Sequence, residues 1–107
     1  MVFYRTAVGN EPVRQWLKDL NREDRKAIGQ DVKTAQYGWP LGMPLIRKLE
    51  PGLWEVRSHI SQGIARVLFT VADNVMVLLH AFVKRSQKIP QGDLKVARQR
   101  LADLREE

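Results

Sequence analysis

Residues 53–84, "LWEVRSHISQGIARVLFTVADNVMVLLHAFVK", decide the fold. In "LWEVRSHI", Trp54, Val56 and Ile60 project to one side, while Glu55, Arg57 and His59 project to the other. Ser61-Gln62-Gly63 supplies a turn. "IARVLFTV" then places Ala65, Val67, Phe69 and Val71 on a core face with Arg66 opposite. "ADN" turns the chain again, and "VMVLLHAFVK" is apolar on both faces, as a central strand must be. Strands joined by such short turns form an antiparallel meander.

Working outward, "PLIRKLE" is a further strand, and the proline-glycine pair at 51–52 turns it into the meander. Before it, "YGWPLGMP" breaks a helical region with two glycines and two prolines. That region reads as two helices. Asn10 caps the first, Pro12 lies in its first turn, and Val13, Trp16, Leu17 and Leu20 form its apolar stripe. Asn21 caps the second, Glu23 and Asp24 complement its positive end, and Ile28, Val32 and Ala35 face inward. "VFYRT", residues 2–6, is a short strand, and "PQGD" opens a last helix whose stripe is Leu94, Ala97, Leu101 and Leu104. The order is β-α-α-β-β-β-β-α, an α+β fold. Its expected architecture has two layers, with a helical hairpin packed on one face of a mainly antiparallel sheet. The other face, carrying Arg57, His59 and Arg66, is expected to be open to a ligand.

A chain of 107 residues, 44% apolar and with no internal repeat, fits one domain over residues 1–107. It has no cysteine, which removes disulfides and thiolate metal sites. The two histidines and scattered carboxylates have no zinc-ligand spacing, so no metal or cofactor is expected. There is no glycine-rich phosphate loop, and "ISQG" lacks the context of a nucleophile elbow. "MVFYRTAVGNEP" has no long apolar core, and no window reaches membrane-spanning length, so no membrane partner and a cytoplasmic location are expected.

The net charge is +6, with a pI near 10.1, and its distribution is uneven. Between Arg47 and Lys88 lie seven cations (Arg47, Lys48, Arg57, Arg66, Lys84, Arg85 and Lys88) against three acids. The helical segments on either side are nearly balanced. A basic surface of this kind suits a polyanion, and its commonplace alternative is a set of solvated or salt-bridged side chains. Trp16 and Trp54 fall on core faces; Trp39, in the Gly/Pro-rich segment, is freer to stack on a base.

The segment from Gly52 to Pro90 closely resembles the HigB-like branch of the RelE/ParE toxin superfamily. The shared features are "GLWEVR", the Arg66-Val67 pair one strand later, "LLHAF", and a basic cluster ending in Pro90. The resemblance implies a RelE-like fold and the toxin of a bacterial or phage-derived type II toxin–antitoxin pair. Such toxins typically cut mRNA on the translating ribosome without a metal. Their expected partners are mRNA, the ribosome and a helix-turn-helix antitoxin, with operator DNA engaged only through that antitoxin. The ParE branch instead poisons DNA gyrase, and a shared fold does not fix the activity. Two other readings therefore stand beside the nuclease: a toxin that inhibits gyrase or the ribosome by binding alone, and a nontoxic nucleic-acid-binding module.

Metal-free RNA cleavage uses the substrate's 2′-hydroxyl as nucleophile. It needs a base, cations on the phosphate, and a proton for the departing 5′-oxygen. Arg57, Arg66 and Arg85 are the phosphate candidates because a guanidinium grips two phosphate oxygens at once, and Lys84 lies beside them. The resemblance favours Arg66. Such toxins often use a tyrosine, lysine or histidine near the C-terminal end as the base. Here the only tyrosines are Tyr4 and Tyr37, outside that stretch, which leaves His59 and His80 as base candidates. Arg47, Lys48, Lys88 and Trp39 are the expected RNA-binding residues.

Overall fold

The computed structural model describes residues 1–38, 46–84 and 89–106, with Lys84 described by its backbone alone. Trp39, Arg85 and Lys88 therefore lie outside the described residues. The element order is β1 (Val2–Phe3), α1 (Pro12–Lys18), α2 (Arg22–Gly38), β2 (Ile46–Glu50), β3 (Leu53–Ile60), β4 (Gly63–Ala72), β5 (Val75–Lys84) and α3 (Gln91–Arg105). This is the β-α-α-β-β-β-β-α order that the hydrophobic periods predict. No helix among the described residues is long and apolar enough to cross a membrane.

The five strands form one sheet in the order β1-β5-β4-β3-β2. β2 to β5 are an antiparallel meander, and β1 pairs with β5 in parallel. The turns have the expected chemistry. Asp73 and Asn74 both take positive φ, 50° and 64°, as a two-residue hairpin turn requires. Gly52, at φ 79°, follows Pro51 between β2 and β3, and a Cβ there would meet the Arg105 guanidinium of α3.

The hairpin of α1 and α2 covers one sheet face. Val13, Ile28, Val32 and Ala35 pack there on Val56, Ala65, Val67, Phe69 and Leu78, with Trp16 and Trp54 at the margin. Polar ties reinforce the packing. Asn21 Oδ1 accepts from the Asp24 amide at 2.8 Å, the expected cap of α2. Asp24 in turn accepts from the Ser61 hydroxyl at 2.7 Å and the Ser61 amide at 3.1 Å. Ser58 donates to Asp31 at 2.5 Å. At α1 the cap differs from expectation: Glu11 occupies the N-cap position with Pro12 at the start of the helix. Asn10 is instead held in the preceding loop, its amide donating to Thr6 Oγ1 at 3.0 Å.

The second face is less open than the sequence implies. α3 lies across part of it, packing Ala97 and Leu101 on Leu53, Leu68, Val77 and Leu79. The stripe read in the sequence thus has a partner, and α3 adds a partial third layer. On the uncovered remainder, toward β2 and the β3–β4 turn, Arg47 and His59 are exposed and Arg57 is partly exposed.

Candidate nucleic-acid interface

Strand register builds the site. On the α3 side of the sheet, three rows cross the strands: Glu55–Leu68–His80, Arg57–Arg66–Phe82 and His59–Ile64–Lys84. Arg47 of β2 pairs with Glu55 and extends the first row to the edge strand. Directly paired residues share a face, so Arg47, Arg57, His59 and Arg66 are brought together. Lys48 is not: it pairs with Trp54 and faces the hairpin side.

The two central arginines differ sharply in exposure. The Arg66 side chain is 1% exposed and the Glu55 carboxylate wholly buried. Arg66 Nη1 donates to Glu55 Oε1 at 3.0 Å and to Oε2 at 3.1 Å. Arg57, 38% exposed, approaches the same carboxylate with Nε at 3.9 Å. A buried carboxylate between two guanidiniums explains why Arg66 tolerates burial, since an isolated charge there would be costly. It also bears on the expectation that Arg66 is the principal phosphate contact. As folded, its guanidinium is turned to Glu55, while Arg57, Arg47 and His59 are the groups in reach of solvent.

His80 owes its direction to a β-bulge. Leu68 pairs with His80 while Phe69 pairs with Leu78, so Leu79 and His80 together oppose one residue. The extra residue turns His80 from the hairpin side, where Met76 and Leu78 pack, to the α3 side. There Asp93 Oδ1 lies 2.6 Å from His80 Nε2, and Arg100 Nη1 lies 3.4 Å from Nδ1. Arg100 also donates to the Leu79 carbonyl at the bulge at 2.7 Å, and the Phe82 ring stacks on the imidazole with centroids 5.7 Å apart. Arginine only donates, so its approach favours an unprotonated Nδ1, with Nε2–H directed at Asp93. Burial lowers the Arg100 pKa, with Tyr4, whose ring lies 5.6 Å below the guanidinium, opposing the shift. His80 is thus engaged at both nitrogens by α3, an arrangement that fixes the ring. His59, exposed on the open strip two residues from Arg57, keeps its imidazole accessible.

Sequence reasoning missed Glu55, Asp93 and Arg100 as parts of this network. Glu55 carried a signal, a lone acid on the cationic face of its strand. Asp93 and Arg100 carried none, because the first reads as a helix-start residue and the second as part of a solvated helix. Among the described residues, no three His, Asp or Glu side chains converge as a metal site would need. A cleft of about 610 Å³ lies away from the cations, between residues 2–9, Val77 and Leu104. Its lining holds a single charged side chain, Arg5, so it lacks the chemistry of a phosphate site.

A meander with an α-hairpin on one face and a C-terminal helix on the other is consistent with the RelE-like fold. The chain belongs to the phage-derived Gp49-like family, whose model, described as Phage derived protein Gp49-like, matches residues 15–102. That family is toxin-like, of the RelE/HigB type. A search of curated proteins found no match.

Proposed function

We propose that this chain is the toxin of a type II toxin–antitoxin pair and that it cuts mRNA on the translating ribosome. The observation that carries the reading is the open strip of Arg47, Arg57 and His59 beside the buried Arg66–Glu55 pair, in a member of a toxin-like family. In this mechanism His59 takes the proton from the substrate's 2′-hydroxyl, and the oxygen attacks the adjacent phosphate. Arg57 grips the phosphate as its charge rises, and Arg47 holds the strand. The P–O5′ bond breaks to leave a 2′,3′-cyclic phosphate, the departing 5′-oxygen taking a proton from solvent. Lys84 shares the row of His59 and is assigned to the same phosphate. Arg66 acts through Glu55, which sets the direction of Arg57. His80 is a positioning residue that fixes α3 against the sheet. The reading makes a helix-turn-helix antitoxin the cognate partner, reaching operator DNA on the toxin's behalf, and places the reaction in the cytoplasm.

Brief induction followed by primer extension on translated messages tests the reading, comparing wild type with Arg57→Ala and His59→Ala. New cuts inside reading frames are expected, weakened on the order of 10²–10³-fold in a folded Arg57→Ala protein. Growth arrest without cuts would move the assignment to inhibition of gyrase or the ribosome by binding. Neither arrest nor cuts would leave a nontoxic binding module.

A further inference from the structure

α2 contains four cations, Arg22, Arg25, Lys26 and Lys33, and three acids, Glu23, Asp24 and Asp31. In sequence they nearly cancel. In the fold they separate. Asp24 is buried and accepts from Ser61 and Asn21, and Asp31 accepts from Ser58, so two of the three acids are turned toward the sheet. All four cations are exposed. At about 100° per residue they fall within an arc of roughly 100°: Arg22, Lys26 and Lys33 cluster about 80–120° round the helix from Val32, while Arg25 borders the buried stripe of Ile28, Val32 and Ala35. They span about 16 Å along the axis.

Neither helix stability nor ion pairing accounts for them. Arg22 and Arg25 lie in the first turns, where the helix dipole disfavours positive charge. Arg22 and Lys26 form a like-charge i,i+4 pair. Three other basic residues of the helices have partners: Arg14 pairs with Glu11, Arg98 with Glu50, and Arg100 with the Leu79 carbonyl. Lys18, Lys95 and Arg105, scattered over two helices, form no salt bridge among the described residues. Within the described residues, none of the four α2 cations forms a salt bridge.

We propose that the outer face of α2 is a second binding surface, which docks the phosphate backbone of a folded, double-stranded RNA on the side of the sheet opposite Arg57. The choice of occupant follows from what the face contains. A protein partner needs buried apolar or aromatic anchors, and this face has one large aromatic, Tyr37, at its end. A phosphate backbone needs only spaced cations along a rigid rod. The choice of RNA over DNA rests on the function proposed above. With one face for a single strand and the other for structured RNA, the toxin would be held by its surroundings while its open strip meets the message.

The test is direct binding, without ribosomes or cleavage, so it separates from the nuclease reading: an inactive protein can pass it and an active nuclease can fail it. The probe is an RNA hairpin of about 20 base pairs, a stem longer than the span of the four cations. The variant is Arg22→Gln/Arg25→Gln/Lys26→Gln/Lys33→Gln, with circular dichroism verifying the helix. The expected result is at least a tenfold loss of affinity at low salt, and a salt slope shallower by about three, since each phosphate contact contributes a little under one. An unchanged affinity and slope in the folded variant would overturn the proposal. So would a DNA hairpin of the same sequence bound more tightly than the RNA, or polyglutamate bound more tightly than either. If the fourfold variant fails to fold, the pair Arg25→Gln/Lys33→Gln gives the same reading at half the slope change.

Discussion

Arg57 and Arg66 face each other across β3 and β4, on one side of one sheet, and meet opposite fates. Arg66 sits on a strand between β3 and β5, flanked by Phe82, and is sealed against Glu55. Arg57 sits one strand nearer the β2 edge and keeps over a third of its side chain in solvent. Residue type does not separate them; lateral position in the sheet and closeness to the Glu55 carboxylate do. The comparison divides the cationic face into an inner layer that sets geometry and an outer layer available to a polyanion.

The sharpest way to break that division is at the buried pair. Arg66→Ala leaves the Glu55 carboxylate without its closest cation in a site that water does not reach. We expect a stability loss of about 3–5 kcal/mol, a large share of the ~5–15 kcal/mol available to a domain of this size. Arg57→Ala, removing a half-exposed group, should stay within about 0.5 kcal/mol of wild type. Replacing both buried partners, as Glu55→Leu/Arg66→Met, should recover most of the loss, because the pair's cost of desolvation disappears with it. Urea unfolding of the four proteins decides the matter. Equal losses in Arg57→Ala and Arg66→Ala would erase the distinction between the layers. It follows that loss of toxicity in Arg66→Ala alone cannot be read as loss of a catalytic group.

The same division explains how much was legible beforehand. Element order and strand faces follow from local alternation, so Trp54, Val56, Ala65 and Val67 fall where their periods place them. That Arg57, His59 and Arg66 share a face is equally local, since each step along a strand reverses the side chain. Burial of Arg66 was not legible, because it depends on its place between β3 and β5 and on the Glu55 carboxylate, a residue eleven positions away that strand pairing brings beside it. His80 was a mixed case. Its shared face with Phe82 follows from their spacing of two, but its clasp by Asp93 and Arg100 needs the bulge and the docked helix together. The charge balance of α2 misled for a related reason: a sum over a segment cannot tell which acids are turned inward.

A smaller effect tests where α3 ends the cover of the inner layer. Asp93→Ala removes the short contact to His80 at a partly exposed position. It should cost about 1 kcal/mol. Hydrogen exchange should accelerate along α3 while the amides of β3 and β4 keep their protection. Uniform acceleration throughout would mean that α3 and the sheet open as one unit, and that the contact is no separate clasp.

The smallest expected effect concerns acid, and it compares the two sides of the sheet. The Ser61 hydroxyl, aided by the Ser61 amide and Asn21, holds the Asp24 carboxyl below its ordinary pKa despite burial. On the other side, the Arg98 guanidinium does the same for Glu50. A carboxyl with a depressed folded pKa means that the unfolded chain binds more protons in the window below the ordinary value. Stability therefore rises with pH there; it is fully present above the ordinary carboxylate range and lost as pH falls through the folded values. Asp24→Asn and Glu50→Gln should each flatten that dependence below about pH 4. Salt distinguishes them. The Arg98–Glu50 pair is exposed, with half the Arg98 side chain in solvent, so raising ionic strength should remove its share. Asp24 is 5% exposed and held by hydrogen bonds, so its share should persist at ~1 M salt, where screening extends only about 3 Å. If salt removed both alike, the hairpin-side tie would be an ordinary surface interaction. The separation of inward acids from outward cations on α2 would then lose the anchor that holds it.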